Sequence, residues 1–92
     1  MEFESDPGKS ATNRTKHGID FLQAQDLWED PDRVEVPALT VGEPRWLVVA
    51  RIGEVHWSAV VTYRDLRVRI ISVRCSRSVE VKIYEQDEQD EH

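Results

Sequence analysis

Leu66-Arg67-Val68-Arg69-Ile70-Ile71-Ser72-Val73-Arg74 carries the strongest strand signal of the chain, and its reading decides the fold. Branched apolar residues alternate with arginines there, the pattern of a strand with one face buried and one face open. Upstream, Trp46 to Ile52 and Val55 to Tyr63 flank Gly53-Glu54, where glycine at the first central position suits a type II′ hairpin turn. Arg64-Asp65 is a second tight link into the arginine strand. Val34 to Ala38 is shorter and holds Pro37, which places it at an edge. The spacing therefore predicts an antiparallel meander of four strands.

Helices flank that meander. Asp6-Pro7 starts one, with an N-cap carboxylate and proline at the first helical position, and Gly18 after Lys16-His17 stops it. Asp20 and Gln23 have the spacing of a capping box opening a second helix, which Asp30-Pro31-Asp32 ends. Before both, residues 1–5 read as a short edge strand whose core residue is Phe3. Val79, Lys82, Ile83 and Tyr84 predict a short amphipathic helix, and residues 86–92 an acidic, frayed tail. The expected order is β-α-α-β-β-β-β-α, an α+β domain over residues 1–85 with an antiparallel sheet packed against helices.

Charge is distributed unevenly. The 92 residues carry a formal net charge of −6, yet from Arg45 to Lys82 eight basic residues face only Glu54, Asp65 and Glu80, a local charge of +5. Arginines on a rigid strand can present guanidinium groups at fixed spacing to a polyanion. By strand parity Arg67 and Arg69 share one face, while Arg74 joins Val68, Ile70 and Ser72 on the other. A solvated face whose arginines blunt edge pairing is the plain alternative. Lys9, Asn13 and Lys16 share one face of the first helix, and His17 lies in its last turn, where the dipole favours the protonated imidazole. A single cysteine, Cys75, excludes an intrachain disulfide and suits a reducing cytoplasm; His17, His56, Cys75 and His92 lack zinc-ligand spacing, so neither metal nor cofactor is expected. No stretch has the length of a membrane span or the order of a signal peptide. Trp28, Trp46 and Trp57 read as core or interface residues.

Several blocks together resemble one family. Phe3-x-x-Asp6-Pro7-x-Lys9, Asn13-x-x-Lys16-His17-Gly18-Ile19-x-Phe21, Trp28-x-Asp30-Pro31, His56-Trp57-Ser58-Ala59-Val60 and Arg69-Ile70-Ile71-Ser72-Val73-Arg74 are similar to the BrnT family of type II toxins. The resemblance implies a RelE-like ribonuclease fold, toxicity by RNA cleavage, and neutralisation by a BrnA-like antitoxin that supplies the DNA contact. It aligns Lys9, Lys16, His17, Arg69 and Arg74 with basic positions around the active site, and Glu80 and Tyr84 with the last helix. On that basis the expected chemistry is metal-independent attack of a ribose 2′-hydroxyl on its own phosphate. Arg74, assisted by Arg69, would stabilise the phosphorane, and His17 would be the general acid, with Glu80 or Tyr84 as base. Lys9, Lys16, Arg51, Arg67 and Arg77 would guide the RNA backbone. Cys75, Ser78 and Val79 depart from the family pattern, where an arginine, a lysine and a glutamate are usual. Two charges are lost, and with Val79 the acidic partner of a capping box starting at Ser76. The rival expectation is therefore a catalytically silent homologue that keeps the antitoxin-binding surface; direct DNA binding is weaker, since no helix concentrates base-reading side chains.

Overall fold

Arginine-bearing β5 (Arg67–Cys75) sits second from the edge of a five-stranded sheet. The computed structural model describes residues 2–38 and 42–90, with side chains to residue 86. Along the chain come β1 (Glu2–Glu4), α1 (Pro7–His17), α2 (Phe21–Ala24) with a 3₁₀ turn at Gln25–Glu29, then β2 (Val34–Ala38), β3 (Arg45–Ile52), β4 (Val55–Arg64), β5 and α3 (Ser78–Asp90). The α+β class and the element sequence match the expectation, and the 3₁₀ turn extends α2.

The sheet itself is mixed rather than antiparallel. Strands β2 to β5 form the antiparallel meander, but β1 pairs parallel to β5, with Phe3 opposite Val68, giving the order β1-β5-β4-β3-β2. A parallel pair needs a long crossover, and here everything from α1 to β4 lies between the two strands. Gly53 has φ 62° and Asp65 φ 54°, so both hairpin turns place a left-handed residue first. Asp65 tolerates that conformation because its short polar side chain can bond locally. Leu66 therefore belongs to the turn, 89% exposed, and β5 starts one residue later than the sequence suggested.

A bulge reverses the expected parity. Val60 pairs with Ser72 while Val61 pairs with Ile70, leaving Ile71 as the extra residue of β5. Val68, Ile70 and Val73 are buried on the α1–α2 side. Arg69 stands opposite Thr62 and Arg74 opposite Ser58, residues of one parity on β4, so both arginines share the other face. Simple alternation had separated them.

The two faces carry different cores. Under α1 and α2, Ile19, Phe21 and Leu27 pack on Val48, Ala59, Val61 and Val73, with Phe3 edge-on to Trp28 at 5.0 Å between centroids. On the opposite face α3 packs its apolar residues on the β2–β3 end, where Ile83 and Tyr84 meet Val34, Val36, Leu47 and Val49, and its first turn reaches Ser58 and Arg74 through Glu80. The β4–β5 end of that face is left to Thr62, Arg64, Arg67, Arg69, Ser72 and Arg74. Helix α3 also runs on to Asp90, through part of the stretch expected to fray; Glu91 and His92 lie outside the described residues. No helix among the described residues is long and apolar enough to cross a membrane.

Candidate functional site

Helix α1 is fixed at both ends. Asp6 Oδ1 accepts from the backbone N–H groups of Gly8 (2.8 Å) and Lys9 (3.1 Å), which also lower its pKa, and Gly18 closes the helix at φ 79°. Between the caps, Asn13 turns inward. Its Nδ2 donates to the carbonyls of Ile19 (2.7 Å) and Val73 (2.9 Å), while Oδ1 accepts from Val73 N–H at 3.1 Å. Strand β1 pairs only with residues 67–69 of β5, so the side-chain amide of Asn13 takes the place of a neighbouring strand where β1 has ended. Asn13 is thus a buried tether, 6% exposed, although it shares a helix face with Lys9 and Lys16.

That tether draws the basic end of α1 onto the bulge. Lys9, Thr12, Lys16 and His17 line a shallow groove of about 240 Å³ whose far wall is Ile71 and Ser72. Two residues beyond Ser72, Arg74 reaches Glu80 with both terminal nitrogens, each at 2.7 Å, and touches the Cys75 carbonyl at 3.4 Å. The structure therefore brings Lys9, Lys16 and His17 together, and sets Arg74 further along the strand of the other wall with its side chain on the opposite, α3-side face.

Glu80 has the neighbours of an orienting group rather than a proton acceptor. Besides Arg74, its carboxylate accepts from Ser58 Oγ (2.9 Å) and from Arg77 N–H (2.8 Å), and Ser58 Oγ lies 2.8 Å from Ser76 Oγ. The Arg74 pairing, aided by the Arg77 and Ser58 bonds, outweighs burial and holds its pKa at about 2. Arg77 precedes the first helical residue, so Glu80 supplies the acidic half of a capping box one position later than expected. Val79 is exposed, and the carboxylate that caps the helix start is that of Glu80.

This pair has a pH signature. A depressed folded-state pKa contributes stability that is complete above the unfolded value near 4.5 and fades as pH falls toward about 2. Over that window the pair is expected to lose about 3 kcal/mol. Denaturant midpoints at pH 7 and pH 3 should therefore differ less in Glu80→Gln than in the parent protein; an equal difference would remove Glu80 as the acid-sensitive group.

Other expected site residues lie elsewhere or are charge-paired. Tyr84 is 2% exposed, donates to Asp30 Oδ2 at 2.8 Å and meets the His56 ring edge-on at 5.1 Å. Asp30 also accepts from the N–H groups of Arg51 and Asp32, 2.9 Å each, and these bonds lower its pKa although burial pushes the other way. Arg51 and Tyr84 line a separate cavity of about 550 Å³ walled by Asp26, Glu29, Asp30 and Asp32. On the open face, Arg67 lies 3.2 Å from Glu2 and 3.9 Å from Glu4, Arg69 lies 3.9 Å from Glu4, and Arg64 pairs with Glu43 at 2.7 Å. The side of Arg77 is exposed at the start of α3.

Sequence reasoning missed Ser58, the acidic partners Glu4 and Glu43, and the inward turn of Asn13. Only Ser58 left a trace, as a lone hydroxyl in an apolar run. No curated protein matches the chain. A family described as "Ribonuclease toxin, BrnT, of type II toxin-antitoxin system" matches residues 6–80, covering α1, the whole meander and the Arg74–Glu80 pair. By that match the chain belongs to the BrnT ribonuclease toxins of type II toxin–antitoxin systems.

Proposed function

We propose that the protein is a metal-independent endoribonuclease that cleaves at the groove between α1 and the bulge of β5. The observation that carries the reading is the convergence of Lys9, Lys16 and His17 on Ile71 and Ser72, on the strand that bears Arg74. Lysines on one wall would hold the phosphate backbone, and His17 would protonate the leaving 5′-oxygen after attack by the 2′-hydroxyl. Arg74, which Glu80 holds on the opposite face, would swing round the β5 edge that β1 leaves unpaired beyond Arg69 to meet the charge that builds on the phosphorane oxygens. Arg69 stands on the same face to assist, with Arg67 and Arg77 as more distant guides. Four hydrogen bonds occupy the Glu80 carboxylate and make it a weak base, and Tyr84 is buried on the inner side of α3, so in this reading the 2′-hydroxyl proton passes to solvent water. A BrnA-like antitoxin would neutralise the toxin in the cytoplasm by covering the groove, and DNA would be reached only through that partner. Purified protein should cleave RNA with excess chelator present, and His17→Ala should slow cleavage about 10²-fold. Full activity in His17→Ala would remove it as the acid.

A second reading, a catalytically weakened homologue that serves as antitoxin partner, is supported by charge pairing. Arg64, Arg67, Arg69 and Arg74 each face a carboxylate, and Cys75 stands exposed where the family carries a further arginine. Expression without antitoxin separates the two readings. The enzyme should arrest growth, more strongly after Cys75→Arg with Ser78→Lys. No arrest before or after that change leaves the binding role.

A further inference from the structure

Trp57 does not sit wholly in the core. It stands on β4 opposite Cys75 and Ala50, half-buried, and forms part of a groove of about 300 Å³. Apolar walls come from Ile19, Val55 and Trp57, and polar ones from Gln23 and Asp26. Val55 remains 45% exposed, an apolar surface that the fold leaves uncovered. Gln23 is anchored, since its Oε1 accepts from Asp20 N–H at 3.0 Å, which leaves the amide nitrogen as a fixed donor.

This groove continues the proposed cleavage site. Gly18, one of its lining residues, directly follows His17. Cys75, the neighbour of Trp57, lies three to four residues along β5 from the Ile71–Ser72 wall, a distance of about 10–13 Å. A nucleotide whose phosphate rests beside Lys16 and His17 can place its own or the adjoining base there. Charge separates the two grooves. The first is lined by cations and suits phosphate; the second carries Asp26, which repels phosphate and accepts from base N–H groups.

We propose that the Trp57 groove is a nucleobase subsite that selects guanine, a proposal that rests on the cleavage groove proposed above. The indole and Val55 supply an apolar platform for a base. Guanine alone presents adjacent N1–H and N2–H donors that one carboxylate can accept together, and its O6 can receive the Gln23 amide. Uracil flanks its single N–H with two carbonyls that Asp26 would repel. Adenine and cytosine each offer a single amino group.

Binding of four short oligonucleotides, identical except for one base and 2′-deoxy throughout so that they cannot be cleaved, tests the subsite by titration calorimetry. The guanine oligonucleotide should bind about tenfold more tightly than the others. Asp26→Asn, an exposed change, should abolish that preference. Trp57→Leu should weaken all four by roughly tenfold, while Trp57→Phe restores affinity. Equal affinities in the parent protein, or a preference that survives in Asp26→Asn, overturn the subsite. Because these ligands are not turned over, the two proposals fail separately. Guanine preference without cleavage of ordinary RNA removes the catalytic reading alone, and cleavage without preference removes the subsite alone.

Discussion

Asn13→Ala is expected to destabilise the protein by about 3 kcal/mol or more, although the residue lies on a helix of mostly exposed side chains. Alanine leaves the Ile19 carbonyl and both backbone groups of Val73 without the partners they now have. A buried polar group left unsatisfied costs roughly 1–3 kcal/mol. Asn13→Asp keeps the size and one acceptor but points an oxygen at two carbonyls, so it should be nearly as damaging. Denaturant unfolding measures both. A shift below about 1 kcal/mol in each would mean that water replaces the amide and that the tether is dispensable. Activity supplies a second readout. If Asn13 works by holding His17 against β5, its loss should lower kcat in the parent but add little once His17→Ala is present. Independent effects would multiply.

How much of this was legible in the sequence depended on whether a signal was local. Helix caps at Asp6, Gly18 and Asp20 follow from adjacent residues, and so does the turn at Gly53. The α+β order follows from periodicity alone. The parallel placement of β1 was not legible, because three residues around Phe3 fit either orientation and only the long-range pairing with Val68 decides it. Nor was the bulge at Ile71. An unbroken run from Val68 to Val73 gives no sign of where a strand gains a residue, yet that residue determines whether Arg69 and Arg74 share a face. Similarly, Glu80 reads from the sequence as a candidate base, and nothing local shows that Ser58, twenty-two positions earlier, is bonded to it. The arginine strand was visible as charge, whereas its neutralisation depends on the parallel register that sets Glu2 and Glu4 beside Arg67 and Arg69, and on α3 bringing Glu80 to Arg74.

That neutralisation separates the role of Arg74 in stability from its role in chemistry. Arg74→Ala should cut RNA cleavage by about 10²–10³-fold, the usual loss when a fixed donor to a developing anion is removed. It should also destabilise the fold by about 3–5 kcal/mol, because the Glu80 carboxylate, 8% exposed, would keep its charge without a cation. A protein of this size has little stability to spare, so loss of activity alone would not reveal which effect was responsible. Adding Glu80→Gln resolves it. Glutamine can still accept from Ser58 and from Arg77 N–H but carries no charge, so the double variant should regain most of the lost stability. Cleavage should stay at the level of Arg74→Ala, since the guanidinium is still absent. Glu80→Gln alone should keep Arg74 charged but held less firmly, and lower cleavage less than its removal does. Recovery of cleavage in the double variant would show that Arg74 serves only to neutralise Glu80. In that event the charge stabilisation would have to come from Lys9, Lys16 and Arg69.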